Sequence, residues 1–236
     1  MTLGRAVAWV LLTVLLGGFG AAWMIKQGQV PVPERFNPFM PLNVAAAPGP
    51  LTTWKFWQAT HDPARCMAAL ATSGMTFDAV ADTTSVNGCS VHDAVRVSRL
   101  SDAAVNQPFL ASCPLALSLA MAERHAWQPA AALQHARITR IDHVGTFACR
   151  NINHASQGTL SEHAHANAID IEAFVLSNGQ RISIADDWHR DTPRGMLLKQ
   201  ARDGACRYFH VVLGPDYNAL HHTHLHLDMG PYHTCR

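Results

Sequence analysis

Two short stretches, SEHAHANAID from Ser161 to Asp170 and HTHLHLD from His222 to Asp228, place histidines and carboxylates at spacings that suit a metal ion. In the first, six residues separate His163 from Asp170, so a loop and the strand after it can aim both side chains at one ion. In the second, His222, His224 and His226 alternate with Thr223, Leu225 and Leu227. A strand of period two then presents the three imidazoles on one face and the leucines on the other. An imidazole pair facing a His/Asp pair outlines a zinc site. Fifteen histidines, four of them between His221 and His226, can also form a loose metal-buffering tract or fall there by chance. The interleaved leucines and the acidic partner upstream favour one fixed site. No HExxH occurs, which excludes a helix-borne site of the thermolysin type.

The rest of the chain has to deliver these residues. With 236 residues, 48% of them hydrophobic, it is long enough for one good-sized core. A formal charge of +1 with no long run of either sign gives no sign of a nucleic-acid groove or a polybasic membrane patch. Ala6 to Ile25 carries no charge and is flanked by Arg5 and Lys26, the length needed to cross a bilayer. It is long for a signal-peptide core, although Gly17, Gly18, Gly20 and Ala21-Ala22 resemble the surroundings of a cleavage site. Residues 1–25 are therefore expected to be a transmembrane anchor or a signal, and either one exports the rest. Six cysteines without a CxxC pair fit three structural disulfides in such an exported chain. Of the fifteen connectivities that sequence allows, nearest-neighbour pairing is expected: Cys66 with Cys89, Cys113 with Cys149, Cys206 with Cys235.

Residues 26–53 hold six of the 13 prolines and read as an extended stalk. The folded domain is expected over 54–236. Asp62-Pro63 opens a helix that carries Cys66 and closes by Gly74. Met75 to Val80 and Val91 to Ser98 read as strands around the turn Asn87-Gly88. Ser112 caps a helix from Pro114 to about Trp127, and a short helix follows over Ala130 to His135. Strands are expected over Ile138 to Cys149, ending at Arg150, and over Ala168 to Leu176, Arg181 to Ala185, Phe209 to Leu213 and His222 to Met229. Thr192-Pro193 opens a helix that Gly204 closes. This is an α+β pattern: a mostly antiparallel sheet bearing the zinc site, with flanking helices.

The run from Cys66 to Cys235, with FACR, SEHAHANAID, LGPD and HxHLD in that order, resembles the bacterial extensin-like C-terminal domain family. Through Ser161-x-His163, Ala168-x-Asp170 and His224-Leu-His226 it also resembles the zinc superfamily of D-alanyl-D-alanine carboxypeptidases, vancomycin-resistance D,D-dipeptidases, murein endopeptidases and the hedgehog domain. The resemblance implies zinc held by His163, Asp170 and His226, which leaves a fourth position for a water of lowered pKa. It implies His224 as the residue that orients or deprotonates that water, and Arg150 as a guanidinium near the scissile carbonyl. The reverse assignment, His224 as ligand with His226 behind it, stays open. Ser161 and Asp228 are expected to fix ligand orientation. His165 and His222 read as bystanders, and Trp188 as an ordinary packed indole. Where the superfamily has glycine this chain has Ala166, so a turn that wants positive φ lacks its easiest residue. Asn167 is the neighbour expected to absorb the strain. The implied activity is a zinc peptidase on peptidoglycan stem peptides or crosslinks, periplasmic and tethered to the inner membrane by its N-terminal helix or exported after cleavage. The rival readings are a non-catalytic wall-binding module that keeps its zinc and a periplasmic metal-handling protein.

Overall fold

A computed structural model describes residues 3–85 and 87–236. The apolar N-terminus is a single helix, α1 (Leu3–Lys26), none of whose 24 residues is buried. At 1.5 Å per residue it is about 36 Å long, enough for a hydrocarbon core of about 30 Å. It passes by length and composition as a membrane span, as a signal sequence also would.

The proline-rich segment departs from the expected stalk. A 3-10 turn forms over Glu34–Phe36, and Leu42 and Val44 are 4% and 0% exposed within the domain's core. The Val44 amide donates to Thr72 Oγ1 at 2.8 Å, and its carbonyl lies 2.9 Å from His125 Nε2. Proline density forbids a regular element here, yet it does not keep the chain off the core.

Two helices follow, α2 (Thr52–Thr60) and α3 (Pro63–Leu70), the latter capped by Asp62 accepting the Arg65 amide at 3.0 Å. After β1 (Thr76–Val80) come a small hairpin, β2 (Thr83–Thr84) and β3 (Ser90–Val91), and then β4 (Ala94–Arg99) and β5 (Ala104–Ser112). Strand β5 has no clear sequence signal. Polar Asn106-Gln107 and Pro108 interrupt it, and the break is tolerated because the β5 ladder to the next strand spans only Ala104–Val105. Ser112 caps α4 (Cys113–Ala122), accepting the Leu115 amide. The helix continues through a π-helical turn, Glu123–Trp127, into α5 (Gln128–Ala132), so the expected two helices are one interrupted stretch. Pro129 cannot donate back to residue 125, and the His125 carbonyl accepts Arg207 Nη2 instead.

The remaining elements are β6 (Ile138–Gly145), β7 (Ala168–Leu176), β8 (Arg181–Ser183), α6 (Ile184–Asp187), α7 (Pro193–Ala205), β9 (Val211–Leu213), β10 (Leu225–Asp228) and β11 (Thr234–Cys235). The main sheet runs β1-β4-β5-β6-β7-β10-β9-β11, with β8 also on β7. It is mixed rather than mostly antiparallel: β5 and β6 are parallel, as are β9 and β11. The parallel step arises because α4 and α5 carry the chain across from β5 before β6 begins. Trp127 meets Phe174 edge-on at 5.5 Å in the core. Trp188 is a packed indole, 1% exposed, with Nε1–H on Asp216 at 3.0 Å.

Three disulfides close the domain: Cys66–Cys113, Cys89–Cys149 and Cys206–Cys235. Only the last follows the nearest-neighbour expectation. Packing of α3 against α4 brings Cys66 to Cys113, while the β2–β3 hairpin carries Cys89 across to the segment after β6. Contacts in the folded domain, rather than sequence distance, select the partners.

Candidate metal centre

Strand register builds the site. Antiparallel pairing sets His226 of β10 opposite Asp170 of β7, while Leu225 and Leu227 face Ile171 and Ile169. Alternation then sends the leucines and isoleucines into the core and leaves the histidine and carboxylate together on the other face. His163 arrives from a 3-10 turn, Glu162–His165, whose N-cap Ser161 accepts the His163 amide. Gly145, at φ 136°, ends β6 opposite Asp170 in a conformation that L side chains rarely adopt. The Thr146 carbonyl beyond it lies 3.1 Å from His163 Nδ1, which leaves Nε2 as the free donor atom.

The polar atoms converge. His163 Nε2 is 3.3 Å from Asp170 Oδ2 and 3.3 Å from His226 Nδ1, and His226 Nδ1 is 2.9 Å from Asp170 Oδ1. Bonds of about 2.0–2.1 Å at tetrahedral angles would set ligand atoms roughly 3.3 Å apart, so these three donors fit a small divalent cation. They form a candidate metal group. Their side chains are 4%, 14% and 13% exposed for His163, Asp170 and His226, sheltered from solvent yet not sealed. His226 Nε2 bonds Asp228 Oδ2 at 2.9 Å, and the Gly230 amide holds the other Asp228 oxygen at 2.8 Å. Each histidine thus has its second ring nitrogen fixed, as metal-bound imidazoles usually do.

His224 stands beside this trio, with Nε2 3.6 Å from Asp170 Oδ1. Burial, followed by opposing influences of Asp170 and the neighbouring histidines, leaves its pKa below the ordinary value, so it is a neutral imidazole able to accept a proton. Burial also works against the charges of Asp170 and His226, but their mutual hydrogen bond, with those to His163 and Asp228, prevails. Asp170 is held well below the usual carboxylate range, and His226 is pushed up to about 9.

The structure brings together His163, Asp170, His224, His226, Ser161 and Asp228. It does not bring His165, which lies against Ser90 at 3.1 Å, nor His222, which is exposed and turned to the Ala219 carbonyl. Strand β10 starts only at Leu225, so the three-imidazole strand face is not formed. A 3-10 turn over Ala219–His221 breaks the parity and supplies His221 instead. Its ring lies 5.3 Å from that of His224 and 5.8 Å from that of His226, with Nδ1 on Asn218 Oδ1 at 2.7 Å. Burial and the two neighbouring histidines push its pKa down to about 4. Strand-period reading missed His221; its one signal was the i, i+3 spacing to His224. Arg150 is tied in by its backbone, its carbonyl accepting the Ser161 amide at 3.0 Å. Arg150 lines a separate cavity of about 410 Å³ with Asn87, Asn151 and Ser156, whose walls include none of the three metal-site residues, so the structure does not bring Arg150 into the site.

The left-handed residue is Ala166 itself, at φ 51° and ψ 31°, rather than Asn167. Asn167 is instead a junction. Its Oδ1 accepts Ser112 Oγ–H at 2.6 Å, its Nδ2 donates to Glu162 Oε2 at 2.7 Å, and its carbonyl accepts the Met229 amide at 3.1 Å. One residue therefore joins the cap of α4 and the His163 turn through its side chain and the end of β10 through its backbone.

Residues 64–236 match the family described as extensin-like protein C-terminus. No curated protein and no solved structure matches the chain.

Proposed function

The chain belongs to the family of extensin-like protein C-termini, and on that premise we propose that the domain is a zinc-dependent peptidase acting on peptidoglycan stem peptides or crosslinks. The observation that carries the reading is the convergence of His163, Asp170 and His226, with a neutral His224 3.6 Å from the shared carboxylate. Three protein donors and one adjacent base are what a hydrolytic metal site requires, whereas a structural zinc site is closed by four protein ligands. When bound, zinc lowers the pKa of a coordinated water towards about 7 and polarises a carbonyl. The chain's own residues do the rest. Thr146 and Asp228 hold the two ligand imidazoles in orientation, and Asp170 supplies the negative charge. His224 receives the proton at Nε2 and can return it to the leaving amine. Arg150 is the guanidinium assigned to a substrate carboxylate. The three disulfides suit an oxidising compartment, and with α1 they support a periplasmic domain anchored at the inner membrane.

The test is incubation of the metal-loaded full chain with crosslinked and uncrosslinked muropeptides, read by product mass. Cleavage sensitive to chelator is expected, with activity lowered about 10²–10⁴-fold by His224→Ala while metal is retained. His163→Ala and His226→Ala should instead lose the metal. If His224→Ala empties the site and His226→Ala does not, the two roles are reversed. Binding of muropeptides without cleavage would favour a non-catalytic wall-binding module, and metal exchanged readily at several histidines a metal-handling protein.

A further inference from the structure

A second cavity, of about 590 Å³, lies where Lys26, the last residue of α1, meets Phe39, Met40, Leu42, Trp54 and Arg65. Its rim is apolar and open: Phe39, Met40 and Trp54 are 45%, 45% and 41% exposed, and Trp57 beside them is 56% exposed. Large exposed aromatics normally cost solubility. Here their position explains them. If α1 spans the bilayer, a helix of about 36 Å puts its terminal Lys26 at the headgroup layer, and the cavity that Lys26 lines lies there too. Tryptophan and phenylalanine beside lysine and arginine are the residues that favour that layer. Of the nearby acids, Asp62 caps α3 through the Arg65 amide and also lies 3.6 Å from Arg65 Nε, and Glu34 accepts Asn43 Nδ2. Lys55, buried in the same wall, is satisfied by the Glu34 carbonyl at 2.9 Å, so the cations at the rim are Lys26 and Arg65, the latter in a solvent-exposed and therefore weak pair with Asp62.

We propose that this cavity binds an anionic phospholipid of the bilayer that holds α1. Its phosphate sits on Lys26 and Arg65, and the first part of an acyl chain lies against Phe39, Met40, Leu42 and Trp54. The inference rests on α1 being a retained anchor. Such a lipid would clamp the domain to the membrane surface beside its own anchor, and so fix the region of wall that the metal centre can reach.

The full chain reconstituted into phosphatidylcholine bilayers, with and without phosphatidylglycerol, then exchanged into detergent, tests this by the mass of retained lipid. Phosphatidylglycerol should be retained in preference to phosphatidylcholine. Lys26→Gln and Arg65→Gln should each lower that retention about fivefold, whereas Lys26→Arg and Arg65→Lys preserve it. Trp54→Ala should weaken retention of both lipids. Equal retention of the two lipids, or unchanged retention in the double glutamine variant, overturns the proposal. Alkaline carbonate separates the failures: a chain released from membranes without detergent overturns both the anchor and the lipid site, while one that stays embedded without lipid preference overturns the lipid site alone.

Discussion

His226 is bonded to two carboxylates at once, Asp170 on Nδ1 and Asp228 on Nε2, both at 2.9 Å. In the metal-free chain this makes it a cation, pushed up to about 9 from an ordinary 6.5. A raised histidine lends stability that is complete below 6.5 and lost as pH rises through about 9. Asp170, held below its ordinary 3.8, lends stability that is present above 3.8 and lost as pH falls through its folded value. The metal-free chain should therefore be most stable between these two ordinary values, and its melting temperature should fall from pH 6.5 towards 9. Metal needs the neutral imidazole and displaces its proton, so the loaded chain does not share this fall. The gap between loaded and metal-free melting temperatures, measured by calorimetry, should widen over that range. A gap that narrows would count against His226 as a ligand.

At the scale of elements, the turn between His163 and β7 concentrates the local strain. Ala166 is fully buried beside Val91 and Ala94, yet left-handed. A left-handed residue with a Cβ costs about 1–2 kcal/mol. Replacing it with glycine removes that cost but also a buried methyl, worth about 0.8 kcal/mol, and adds about 0.4–1 kcal/mol of unfolded-chain entropy. The terms nearly cancel, so Ala166→Gly should leave stability within about 1 kcal/mol, while Ala166→Val, β-branched in that well, should cost at least about 2 kcal/mol. Denaturant titration of both variants decides it. The sequence showed that this position was unusual but misplaced the strain, because a 3-10 turn of four residues leaves no slack to pass it on to Asn167. The same physics separates what was legible elsewhere. Strand β7 and the capped starts of α3, α4 and α7 announce themselves through alternation and Asp62, Ser112 and Thr192. Strand β5 and His221 do not, since one is broken by Pro108 and the other is set by a turn that strand periodicity cannot see. The disulfide pairing was legible as a count and not as a connectivity. Cys89–Cys149 closes a 60-residue separation and pins the segment whose Ala148 amide holds the His163 carbonyl at 3.1 Å. Its removal by paired serine substitution should cost about 4 kcal/mol in the loop-entropy picture and weaken metal binding. Metal titration showing unchanged affinity would detach that bridge from the site.

Over the whole molecule, the family match starts at residue 64, but the fold starts earlier. Lys55 and Ala59 of α2 are buried, and Leu42 and Val44 reach the core through a segment that composition marks as a linker. Periodicity could not reveal these two residues, because a proline-rich stretch has no repeat against which single buried side chains stand out. Their burial matters for where the domain can be cut. A chain starting at Trp54 loses both side chains, each worth about 1.5–3 kcal/mol on burial, together with the bond from the Val44 amide to Thr72. An extended-chain reference inflates such figures, so a loss of about 3–5 kcal/mol is expected, relative to a chain starting at Gln27. For a domain of this size each kcal/mol shifts the melting temperature by about 2–4 °C, which predicts a drop on the order of 10 °C, measurable by calorimetry with the disulfides intact. Leu42→Ala and Val44→Ala in the longer chain should each reproduce part of the drop. Equal melting temperatures for the two chains would mean that residues 27–53 lie against the domain without stabilising it, and would restore the free stalk that the proline content suggests.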